Sequence, residues 1–165
     1  MQVSVHLRRL IAATSVCTVV VFGVTFLVGS QRAQAGQRHV THTCSVTDKQ
    51  FLQTVRSNLT QLSYWSDSLV HAEVAPGTVV KQAKNEAAQV AATGPTDPTL
   101  EQTRGLLGSM FKAYARAVAA KMHGGNAGAP MHTAYTLAND VHYLLVGVQP
   151  ELAARGCDPA PLLQE

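Results

Sequence analysis

The chain has 165 residues and a formal charge of +3, with 14% charged and 5% aromatic side chains. The positive excess is local: Arg8, Arg9 and Arg32 precede Gly36, and from Gly36 onward ten Lys and Arg balance ten Asp and Glu, 10 − 10 = 0. A neutral remainder with no Lys/Arg block argues against nucleic-acid binding, and an apolar content carried by Ala, Val and Leu suits packed helices better than an alternating β-sandwich.

The chain begins with a short basic stretch, His6, Arg8 and Arg9, followed by an uncharged apolar run over 10–30. A helix of ~20 residues spans the ~30 Å hydrocarbon core of a bilayer. Ala33-Gln34-Ala35 then matches an A-x-A cleavage pattern, with Gly36 as the first residue after it. Residues 1–35 are therefore expected to be a signal peptide or a single-pass membrane anchor. The length of the run favours a retained anchor, and the Ala33/Ala35 pattern favours cleavage. Both place the remainder outside the cytoplasm, because the basic flank stays inside.

Residues 36–46 are polar and aperiodic and read as a stalk. Four helical patterns follow over 47–157. The first opens at Thr47, with Gln50 at capping-box spacing, and carries Leu52, Val55, Leu59, Leu62 and Leu69 as its stripe. The second starts at Pro76 and carries Val79, Val80, Ala83, Ala87, Val90 and Ala91. The third has Asp97 as N-cap and Pro98 in the first turn; its broad apolar face runs from Leu100 to Met122, and Gly124-Gly125 ends it. The fourth starts near Pro130 and carries Ala134, Leu137, Ala138, Val141, Leu144, Leu145 and Val148. Pro150 is expected to kink or interrupt it. Residues 158–165 hold two prolines and read as an extended tail.

Short connections favour antiparallel neighbours. The expected fold is an all-α, up-down-up-down four-helix bundle behind an N-terminal membrane-targeting helix. That topology puts the start of the first helix and the end of the fourth at one pole, so Cys44 and Cys157 are expected to form a disulfide, as an exported location allows. Such a bridge closes a loop of ~110 residues.

Few residues suggest chemistry. Met122-His123 and Met131-His132 flank a glycine-rich loop, and thioether and imidazole ligands suit copper. The simpler reading makes Met122 a core residue, places His123 at a helix C-terminus and makes the glycine there the cap. His39, His42 and Cys44 match no standard zinc spacing, and the disulfide removes the sulfur. Asp67 and His71 share one helix face, as do Tyr135, Asn139 and His142, but a general-base site needs a pocket joining the first and fourth helices. The glutamates lack the Glu-x-x-His pattern of a di-iron bundle. The Asn58-Leu59-Thr60 sequon lies within an expected helix, with Leu59 on the buried stripe, and reads as coincidence. The expectation is an exported, membrane-anchored accessory or binding module without catalytic activity or cofactor, meeting the membrane through residues 10–30 and a protein partner at the envelope. The alternative is an extracytoplasmic copper-binding protein using Met122, His123, Met131 and His132.

Overall fold

The computed structural model describes residues 43–163. The apolar run, Ala33, Ala35, Gly36, His39 and His42 lie outside them. Four long helices pack against one another: α1 (Val46–Val70), α2 (Pro76–Ala92), α3 (Pro98–Met122) and α4 (Gly128–Ala154), followed by a single short helix, α5 (Ala160–Leu163). Among the described residues there is no strand, and no helix is long and apolar enough to cross a membrane.

The helix ends follow local chemistry, with several shifts from the expected positions. Ser45, rather than Thr47, caps α1. Its hydroxyl accepts from Asp48 N at 3.1 Å, and Asp48 Oδ2 accepts from Ser45 N at 3.0 Å, a reciprocal capping box. Thr47 lies inside the first turn, its hydroxyl 2.9 Å from Ser45 Oγ, and Gln50 lies in the second turn. Asp97 caps α3 as expected, accepting from Thr99 N and Leu100 N at 2.8 and 3.2 Å. The helix α4 opens two residues before Pro130, with Gly128 N donating to Asn126 Oδ1 at 2.8 Å. It then runs unbroken past Pro150 to Ala154, so Pro150 removes one backbone donor without ending the helix. Gly156, at φ +86°, takes the left-handed conformation that lets Cys157 N close on Leu152 O at 2.8 Å.

The tail is not extended throughout. Asp158 Oδ1 accepts from Ala160 N at 2.9 Å and Leu162 N donates to Pro159 O at 2.8 Å, which winds α5. Proline is tolerated in a first turn, and Leu162 and Leu163 pack against the core.

The central helix is α3, flanked along its length by α2 and α4, while α1 lies against α2. Ala113, Ala115 and Ala117 are buried on α3, and their small side chains let its neighbours approach. Phe51, Leu100, Leu107, Phe111, Leu145 and Leu152 are the largest apolar side chains fully enclosed. Burying each is worth about 1.5–3 kcal/mol. The fully buried line of α1 is Asp48, Phe51, Val55 and Asn58; Val55 belongs to the expected stripe, whose Leu52, Leu59 and Leu62 are only partly buried. The reason is that α1 and α4 approach each other far less closely than α3 and α4 do. The leucines line that gap.

Candidate functional site

The start of α1, the start of α3 and the end of α4 meet at one pole. Cys44 and Cys157 are bridged there, with Cα atoms 5.2 Å apart, and Cys44 N donates to Arg155 O at 2.8 Å. The Asp48 carboxylate is buried at 2% exposure and fully partnered. Its Oδ1 accepts from Thr96 N at 2.6 Å and Asp97 N at 3.1 Å, and its Oδ2 from the hydroxyls of Ser45 and Thr96 at 2.7 and 3.0 Å. Burial alone raises such a carboxyl, but these hydrogen bonds outweigh it and hold Asp48 well below the usual carboxylate range. Arg155 then pairs with buried Asp97 at 2.6 Å, tying the end of α4 to the cap of α3.

The sulfurs and Asp48 are the one group of three His, Cys, Asp or Glu ligand atoms within 4.8 Å among the described residues. The sulfurs are spent on each other, and the carboxylate on donors from Ser45, Thr96 and Asp97. This pole is a structural latch.

The other sequence candidates are dispersed. Met122, His123, Met131 and His132 are all exposed around the connection between α3 and α4. Met122 does not join the core: it is 44% exposed, and its Cε lies 3.8 Å from where a Cβ would stand on Gly77, over the start of α2. Met122 thus sits at the rim, against the first turn of α2, without being enclosed. His71 Nδ1 meets the backbone oxygen of Asp67 at 2.9 Å, a local helix-end contact that leaves the Asp67 carboxylate out. Asn58 is buried and donates to Glu86 O at 3.3 Å, so its side chain is a bolt between α1 and α2 rather than a surface acceptor for glycan.

Nothing in the sequence singles out Glu86, which reads as a polar interruption of the α2 stripe. It is 1% exposed, and neither carboxyl oxygen has a hydrogen-bond partner. Burial pushes its pKa up to about 7. Across the same interior, Tyr114 shares a 2.7 Å hydrogen bond with Ser66. Its phenol is raised by burial, against the Ser66 bond, and by the nearby Glu86 charge. An uncompensated buried carboxyl costs stability when ionised.

The gap between α1 and α4 forms an apolar groove of ≈ 200 Å³. Val55 and Leu59 line it from α1, Leu107 and Met110 from α3, Ala138, Val141 and Leu145 from α4, and Leu162 and Leu163 from α5. His142 is its one titratable wall residue. Neither Asp67, His71 nor Asn139 reaches it, so the acid–base constellation considered from sequence is not assembled there. Beside the groove, the outer face of α4 carries Met131, Tyr135, Tyr143 and Val146 in the open, with Tyr135 69% and Tyr143 72% exposed. Tyr143 packs edge-on against the His142 ring at 5.8 Å. A surface helix ordinarily turns a polar face to water, so among the described residues this stripe is the most conspicuous exposed apolar surface.

Comparison with protein-family models, curated proteins and solved structures gave no match to this chain. Any functional reading rests on the residues themselves.

Proposed function

We propose that the chain is an exported, membrane-anchored accessory module: an up-down-up-down four-helix bundle without catalytic activity that presents α4 to a protein partner at the cell envelope. The observation that carries this reading is the exposed stripe of Met131, Tyr135, Tyr143 and Val146 beside the apolar groove. Tyrosine and methionine are enriched at protein interfaces, where an aromatic body with a polar tip tolerates both water and a partner. Between Gly128 and Ala154 the only charged side chains are Asp140 and Glu151, so a partner seated on α4 strips few charges of water. Export is supported by the apolar run at 10–30 and by a disulfide that persists in oxidising compartments.

The test is site-specific photocrosslinking of the full chain in its own membrane. Probes at Tyr135 and Tyr143 are expected to capture one discrete protein band, while probes at exposed Gln53 on α1 and exposed Gln89 on α2 do not. Equal capture at all four positions, or none at α4, refutes the reading. Intact mass of the same material tests the anchor, by a chain that starts at Met1 or one that starts at Gly36.

A further inference from the structure

A second groove lies on the other flank of α4, across α3, with a volume of ≈ 480 Å³. Three cations line it: Lys84 from α2, and Lys112 and Arg116 from α3. The remaining wall is mainly apolar, built on Ala115 and Ala119 of α3 and Leu137 of α4.

The charges there are unbalanced. Elsewhere in the bundle two arginines find carboxylates: Arg104 bonds Glu101, and Arg155 pairs with Asp97. Among the described residues, none of Lys84, Lys112 and Arg116 makes an ion pair or a side-chain hydrogen bond. No carboxylate belongs to the groove wall. Asp140, one turn beyond Leu137 on α4, stays out of it. The two hydroxyls at the rim do not change this balance, because Ser109 Oγ donates to Gly105 O at 2.9 Å and Thr133 Oγ1 to Ala129 O at 3.0 Å. In a domain with no net charge, three like charges gathered at one apolar trough set up a local positive potential that an anion neutralises.

We propose that this groove binds a long-chain carboxylate of the fatty-acid type, with Lys84, Lys112 and Arg116 holding the head and Ala119 and Leu137 contacting the chain. A small inorganic anion leaves the apolar wall uncovered, and a neutral chain leaves the three cations unpaired. Only an amphiphile satisfies both halves of the surface. The site is separate from the α4 stripe and does not depend on the partner proposed for it.

The probe is a fatty acid carrying a photoactivatable diazirine in its chain, added to the full-length protein in zwitterionic nanodiscs. The control is the matching fatty alcohol. The expected result is saturable labelling, by the acid and not the alcohol, of peptides covering 109–119 and 133–137. Dodecanoate is expected to compete for it, and inorganic phosphate is not. The K112S/R116S double variant removes two exposed cations and is expected to raise the half-saturating concentration roughly tenfold. Its helicity and melting temperature verify that it folds. The proposal is overturned if the acid does not label these peptides, if the alcohol labels them equally, if phosphate competes as well as dodecanoate, or if the double variant is labelled like the parent.

Discussion

Replacing Glu86 with glutamine keeps the shape of the side chain and removes its ability to ionise. In the native bundle the carboxyl is enclosed without a partner and titrates at about 7, against 4.5 when free in water. The native state therefore holds its proton more tightly than the unfolded chain between these values. The stability that Glu86 permits is fully present below pH 4.5 and is lost as the pH rises through about 7. A difference of roughly two and a half units corresponds to about 3 kcal/mol of destabilisation by pH 8 relative to pH 4.5. The assay is urea unfolding of the disulfide-intact protein at half-unit steps from pH 4.5 to 8.5, followed by far-ultraviolet circular dichroism. The parent is expected to lose stability across this window, and the Glu86→Gln curve is expected to lie flatter, so that the variant gains on the parent as pH rises. The buried amide brings a cost of its own, since it too lacks partners, but that cost does not vary with pH. The diagnostic quantity is the slope and not the offset. Parallel pH profiles for the two proteins refute the reasoning and place the Glu86 carboxyl in contact with water or a counter-charge.

Asp48 gives the opposite sign. Its native pKa is depressed, so its contribution is present above the unfolded value of 3.8 and is lost as the pH falls below it. Asp48→Ala is expected to cost roughly 2–4 kcal/mol at pH 6, by loss of a helix cap and of charge-assisted bonds to Thr96 and Asp97. Urea unfolding measures it, and a loss under 1 kcal/mol contradicts the latch. With Glu86 acting from the alkaline side, the parent is expected to be most stable at about pH 4, between the unfolded values of 3.8 and 4.5 for the two groups. Reducing the Cys44–Cys157 bridge, or replacing both cysteines with serine, frees a sequence separation of 113 residues. The expected loss is up to about 5 kcal/mol in the chain-entropy account. Melting with and without reductant measures it, and an unchanged midpoint shows that the hydrogen bonds of the pole suffice without the covalent link.

The positions of the four helices are written in short-range patterns. Apolar residues recur at three and four positions, Asp97 and Pro98 mark the start of α3, and glycine marks the ends of α3 and α4. These signals act within one turn of the chain, so they survive without knowledge of the neighbours. The Cys44–Cys157 pairing was legible because short connections between antiparallel helices bring those two ends together. Other features depended on distant partners. The Ser45–Asp48 capping box is local, but that its carboxylate also holds Thr96 and Asp97, 48 and 49 residues away, is a property of the fold alone. Asn58 and Glu86 are polar by type, yet both are enclosed because their helix faces are covered from across the bundle. Met122 looks like core, but it lies against the first turn of α2 and stays 44% exposed. The grouping of Lys84, Lys112 and Arg116 was equally hidden, because nothing in their spacing tells which side of α3 the helices α2 and α4 leave open. Periodicity along a helix says that a buried face exists. Which residues it buries, and which charges stay unpaired, is set by where the neighbouring helices stop and how closely they approach.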